Sequence, residues 1–317
     1  MRTAKLATLG VRILPVPLLV AGALAGISPA AATTRTAVAA SFTVSGVLNG
    51  VAASSGRNAW AVGDVGSQTL IVHWTGRAWK RVRSPSTAGF NGLFAVATTS
   101  VRNAWAVGST GSGKTSILRW NGTAWKRVRS PSPGANDTLF GVAATSATRA
   151  WAVGASGGGK TLILRWNGVA WKQVPGPSPA GGGVLNGVAV TSAGTAWAVG
   201  ATGSGKTLIL RWNGAAWKQV SSPSPAGGPV LFGVAATARS AWAVGSIGSF
   251  GSGSTLILRW NGAAWKRVRS PSPPSGGDDL SAVAATSAGN AWAVGAIGTC
   301  CANPETLILR WNGTVWK

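Results

Sequence analysis

Apolar residues come in short runs, each closed off by glycine, serine, asparagine or proline. Between residues 139 and 174 the runs are Leu139-Phe140-Gly141-Val142-Ala143-Ala144, Ala150-Trp151-Ala152-Val153, Thr161-Leu162-Ile163-Leu164-Arg165-Trp166 and Ala170-Trp171-Lys172-Gln173-Val174. Their Val, Ile, Leu and Trp content and their flanking turn residues predict four short strands. No segment keeps a 3.6-residue apolar period, and glycine is too frequent for a stable helix.

This unit recurs. Ala-Trp-Ala-Val-Gly returns with its tryptophan at Trp60, Trp105, Trp151, Trp197, Trp242 and Trp292, in steps of 45, 46, 46, 45 and 50 residues. A second block, close to Leu-Ile-Leu-Arg-Trp-Asn-Gly-x-x-Trp-Lys, sets tryptophan pairs at 74/79, 120/125, 166/171, 212/217, 260/265 and 311/316. All 18 tryptophans fall in these slots, three per repeat. Between the third and fourth strands, Asn121-Gly122 suggests a two-residue type I′ turn. That turn sets Leu118 opposite Trp125 and Arg119 opposite Ala124. A four-residue loop would instead oppose Arg119 and Lys126, a like-charge pair.

A single four-stranded sheet cannot bury both faces. Sheets packed side by side around an axis can, with the tryptophans between neighbours. The expected fold is therefore all-β, a six-bladed β-propeller of four-stranded antiparallel blades, with residues 46–317 as one domain. The last repeat stops at Trp316-Lys317. Residues 33–45, Phe42-Thr43-Val44 in particular, are candidates to close the ring by pairing with the last blade.

The Trp-Ala-Val-Gly block followed by Leu-Ile-Leu-Arg-Trp-Asn-Gly resembles repeats of secreted actinobacterial proteins. Those are read as propellers loosely related to the Kelch and galactose-oxidase central domains. The resemblance covers residues 46–317 and implies a secreted propeller. The chain departs from the paired glycines of Kelch blades, the Trp-Asp of WD repeats and the aspartate box of sialidase-type blades.

Composition adds location and charge. Arg2, Lys5 and Arg12 precede an apolar run from Ile13 to Ile27, and Ser28-Pro29-Ala30-Ala31-Ala32 offers small residues for cleavage. That is the layout of a signal peptide over residues 1–32, cut near Ala32 or after Ala40. Pro15 and Pro17 interrupt the run, and no later run is long enough for a transmembrane segment. The net charge is +24 from 29 Lys+Arg and 5 Asp+Glu; without the three signal cations it is 26 against 5. Such an excess suits a polyanion: nucleic acid, an acidic polysaccharide or other glycan, a teichoic-type cell-wall polymer or an anionic membrane surface. The two cysteines, Cys300 and Cys301, are adjacent. Export permits a vicinal or intermolecular disulfide between them, and a plain loop is the simpler reading.

Several segments imitate catalytic motifs. Gly108–Thr115, Gly154–Thr161 and Gly200–Thr207 match G-x-x-x-x-G-K-[ST]. A phosphate-binding loop must open a helix, and here a strand follows, so they read as turns and ATP is not expected. Gly154-Ala155-Ser156-Gly157-Gly158 matches G-x-S-x-G, but His73 is the only histidine and sits where other repeats have arginine. The acids Asp64, Asp137, Asp278, Asp279 and Glu305 are too scattered for a metal cluster or a clear carboxylate pair. The expectation is a protein that is not an enzyme and has no cofactor.

In an up-and-down blade, the turns from strand two to three and the links to the next blade leave on the same edge. The first set carries Lys114, Lys160 and Lys206. The second follows Arg81 and Arg83, Arg127 and Arg129, and Arg267 and Arg269. Binding is therefore expected at Lys114, Lys160, Lys206, Arg83, Arg129 and Arg269, on loops held by a rigid scaffold. The other edge carries Arg57, Arg102, Arg149 and Arg239. The alternative partner is another protein, bound by a structural or adhesive surface; a propeller glycosidase ranks third.

Overall fold

The computed structural model describes residues 42–191, 194–248, 253–272, 277–298 and 305–317. The fold is an all-β six-bladed propeller of four-stranded antiparallel blades. The blades span residues 47–81, 91–127, 138–173, 183–219, 230–268 and 279–317. In blade 3 the strands are Thr138–Ser146, Arg149–Ser156, Lys160–Trp166 and Trp171–Gln173, paired in that order. No described helix is long and apolar enough to cross a membrane.

The glycine ending Ala-Trp-Ala-Val-Gly is a packing requirement. A register shift interrupts the first strand of each blade just beyond its leucine, as between Leu139 and Gly141. A Cβ on Gly154 would run into the Thr138 carbonyl oxygen across the pair. Gly63, Gly108, Gly200, Gly245 and Gly295 face the same obstruction from their own first strands. Bulges of this kind bend and twist a strand, and here they leave the opposing residue no room for a side chain.

Tryptophans form the seams. Trp105 lies 4.9 Å from Trp166 and 5.1 Å from Trp171 of the following blade, the second ring edge-on. Trp60, Trp151, Trp197 and Trp242 repeat this triplet with distances of 4.9–5.0 and 5.1–5.2 Å. Tilted and edge-on rings at this spacing are favoured by the ring quadrupole. Around them lie Val and Ile of one blade and Leu and Ala of the next, for example Val107 and Ile117 against Leu139, Leu162 and Leu164.

The seam from blade 6 back to blade 1 differs. Trp292 is 39% exposed and, among the described residues, meets no ring of blade 1, although Trp74 and Trp79 stand 5.8 Å apart there. Ile308 and Val51 are also exposed. The segment expected to close the ring lies partly outside the described residues, at 33–41. Its visible Val44 packs on Ala61, Leu70 and Val72 of blade 1. The outer edge of blade 6 is completed by the C-terminus: Arg310 N donates to Lys317 O (2.7 Å) and Lys317 N donates to Arg310 O (3.1 Å).

The two-residue hairpin expectation is corrected. Trp120 pairs with Trp125, Arg119 with Lys126 and Leu118 with Arg127, leaving a four-residue loop. Asn121 Oδ1 accepts from the backbone N–H of Thr123 (3.0 Å) and Ala124 (2.9 Å), an Asx turn. Gly122 supplies the left-handed residue, φ 102°. The like-charge pair is relieved because Arg119 leaves it: its guanidinium lies 5.0 Å from the Trp105 centroid and 5.3 Å from that of Trp166, while Lys126 stays in solvent.

Candidate anion-binding face

The glycine-rich turns and the blade links do share one edge, and a repeated clasp holds them there. In blade 2, Thr115 N donates to Ser132 Oγ (3.2 Å), its Oγ1 shares a hydrogen bond with Ser130 Oγ (2.7 Å) and also donates to Pro131 O (3.0 Å). Thr69 with Ser84-Pro85-Ser86, Thr207 with Ser222-Pro223-Ser224 and Thr255 with Ser270-Pro271-Ser272 repeat it. In blade 3, Thr161 keeps the bonds to Pro177 and Ser178. The proline fixes the link's direction while the two hydroxyls satisfy the start of the third strand. The sequence reading missed this clasp, although the recurring Ser-Pro-Ser was visible.

Buried polar residues anchor the links at the start of the next blade. Asn91 Nδ2 donates to the carbonyls of Ser67, Thr87 and Gly89. Asp137, fully buried, accepts from Ser132 Oγ (2.7 Å), Gly134 N (2.9 Å) and Gly157 N (3.2 Å). Burial pushes its carboxyl up, but hydrogen bonds from Ser132, Ser156, Gly134 and Gly157 outweigh it and hold the group below its ordinary range. Asp278 takes the same place in blade 6, accepting from Ser272 Oγ (2.8 Å). The lookalike motifs resolve here: Gly154 is needed for packing, Ser156 backs Asp137, and the Gly108–Thr115 match is a turn between two antiparallel strands.

Lys114, Lys160, Lys206, Arg83, Arg129 and Arg269 are all exposed. They stand on one edge, spread over blades 1 to 5 rather than gathered in one pocket. Lys114 Nζ reaches the Gly134 carbonyl (3.0 Å). In blade 5, Arg269 and Arg267 converge with Ser254, Thr255, Ser270 and Ser272 on a pocket of about 360 Å³. Four of the acids accept hydrogen bonds from neutral groups: Asp64 from Asn49, Asp137 and Asp278 as above, and Asp279 from Ala296 N. The positive charge of this edge is therefore left for solvent or a ligand. No group of three or more His, Cys, Asp or Glu that could hold a metal occurs among the described residues. Cys300 and Cys301 lie outside them.

Neither a family model nor a curated protein matches the chain. Solved structures do resemble it in fold. A GH74 xyloglucanase from Xanthomonas campestris superposes with a TM-score of 0.63 at 18% identity, over 86% of this chain and 45% of that one. YCF48 from Cyanidioschyzon merolae gives 0.55 at 17%, over 87% and 86%; a YCF48 bound to D1 peptide gives 0.57 at 15%, over 86% and 80%. The Aleuria aurantia lectin in complex with Fucalpha1-6GlcNAc gives 0.51 at 13%, over 84% and 93%. The chain thus spans less than half of the xyloglucanase.

Proposed function

We propose that this protein is a secreted, non-catalytic propeller that holds an extracellular polyanion or acidic glycan on its basic loop edge. One observation carries the reading: the turns bearing Lys114, Lys160 and Lys206 and the links following Arg83, Arg129 and Arg269 emerge on one edge, while the hydrogen-bonded carboxylates are tied to neutral donors. The pocket of Arg267 and Arg269 has the composition of an oxyanion site, two guanidiniums among four hydroxyls. Export rests on the N-terminal layout and on the resemblance to secreted repeat proteins. A fucose-type lectin among the fold neighbours supports a glycan ligand.

The test is a binding panel of the exported form against cell-wall polymers, acidic and neutral glycans and DNA, at low and high salt. Replacing Lys114, Lys160 and Lys206 together by glutamine should weaken binding of one acidic polymer by on the order of tenfold and flatten its salt dependence. Binding that ignores both salt and these lysines overturns the reading. It would then favour a protein partner, the second reading, for which the peptide-bound YCF48 is the precedent in fold.

A further inference from the structure

A second charged site lies on the opposite edge, between blades 4 and 5. At the seams between blades 2 and 3 and between blades 5 and 6, the third-strand arginine is used up by the fold. Arg119 Nη2 donates to Ala147 O and Arg259 Nη2 to Ala288 O (both 3.3 Å), each reaching the hairpin turn of the next blade. Arg211 lies over Trp197 (5.3 Å) and Trp260 (5.7 Å) in the same way, but no hydrogen-bond acceptor among the described residues meets it.

The hairpin that faces it differs in length from those of the other blades. Trp242 follows Leu231 by eleven positions, whereas Trp151 follows Leu139 by twelve, as does the corresponding pair in the other four repeats. Blade 5 is one residue short at its first turn. Its strands end at Ala236 and resume at Ala241, and the turn closes on itself through Thr237 and Ser240, whose hydroxyls are 2.8 Å apart. A groove of about 370 Å³ is left over Arg211.

Its lining is rich in donors. Arg239 on the short turn, exposed, adds a second guanidinium, and no carboxylate lines the groove. Asn261 also lines it; its Oδ1 is committed to Ala263 N and Ala264 N, leaving its amide N–H₂ to donate. Thr191, Thr195 and Thr237 contribute hydroxyl-bearing walls. The tryptophan faces hold the Arg211 plane in place, and its in-plane N–H groups remain for a bidentate acceptor.

We propose that this groove binds the carboxylate of an acidic sugar residue, with Arg211 as the fork, Arg239 as the second cation and the threonines and Asn261 against the ring hydroxyls. The volume lies within the range of small-molecule pockets. Arg165 is the internal comparison. It rests on Trp151 and Trp212 and meets no backbone acceptor among the described residues, but the turn facing it, between Thr191 and Thr195, carries no arginine.

Calorimetric titration of the full protein with glucuronate, glucose, an N-acetylated amino acid and inorganic phosphate tests this, at near-physiological salt. Glucuronate should bind, and glucose and phosphate should bind at least about tenfold more weakly. Arg211→Gln and Arg239→Gln should each lower glucuronate affinity about tenfold or more. Arg165→Gln and the triple lysine variant should leave it unchanged. Because Arg239 is exposed on a turn, its variant separates loss of the site from loss of the fold. The proposal is overturned if glucose binds equally, if the N-acetylated amino acid binds better, if glucuronate does not bind, or if Arg239→Gln has no effect. Loss only in the triple lysine variant would also overturn it, while leaving the loop-edge reading intact.

Discussion

The Arg310 guanidinium lies 5.4 Å from the centroid of Trp292 and, among the described residues, meets no ring of a following blade. Arg119, Arg165, Arg211 and Arg259 each span two tryptophans from two blades. The first-blade counterpart, His73, stacks on Trp60 at 3.9 Å.

Trp105→Ala removes a fully buried ring from a triplet and should cost about 3–5 kcal/mol. Trp292→Ala, at a 39% exposed position without partners from blade 1, should cost less than half as much. Chemical denaturation of both variants checks the difference; equal losses would mean that the sixth seam is sealed in solution.

His73 is a pH-sensitive point. Its ring stacks on Trp60 and its Nε2 is 2.8 Å from Asn58 Oδ1. Burial lowers its pKa below the ordinary value near 6.5. The unfolded chain therefore binds this proton more readily, so stability from His73 is present above about pH 6.5 and is lost as pH falls through the lower folded value. His73→Arg should remove that dependence and place a cation between Trp60 and Trp120, as at the other seams. Melting temperature followed from pH 7.5 to 5 should flatten in the variant.

Asp137 carries the opposite charge and the same sign of linkage. Its folded pKa is depressed, so its contribution is full above the unfolded value, about 3.9, and fades as pH falls through the folded one. Asp137→Asn should therefore lower the melting temperature at pH 7, and the gap to the parent should narrow below about pH 4. A gap that stays constant with pH would mean that the carboxylate charge is not what holds the link.

Gly154→Ala should be among the most destabilising single-methyl additions in the chain, because the new Cβ meets backbone rather than a side chain that can rotate. Gly158→Ala, where a Cβ meets nothing but φ is +84°, should cost only the left-handed strain, on the order of 1 kcal/mol. Loss of soluble protein in the first variant and not in the second would fit. Comparable stability of the two would show that the bulge relaxes.

The blades and their shared loop edge were legible because tryptophan spacing and up-and-down connectivity are both sequence properties. The hairpin register was not, because a like-charge rule sets Arg119 against Lys126 alone. Cross-strand charge pairing is a local rule, and Arg119 answers instead to Trp166 on the next blade, 47 positions away in sequence. The clasp of Thr115 with Ser130 and Ser132 was missed for a related reason. Ser-Pro-Ser looks like a loop composition until the third strand is laid against it.

The one-residue difference between the Leu231–Trp242 and Leu139–Trp151 hairpins also bears on how such a chain can change. Beside Arg119 and Arg259, where the turn is full length, a carbonyl of the next blade takes up the arginine and the seam is silent. Loss of a single codon at a hairpin is a small genetic step, and here it coincides with an arginine freed from backbone duty. A tandem array built this way keeps spare copies of the same cation cradle, each open to recruitment without disturbing the tryptophan joints that hold the blades together.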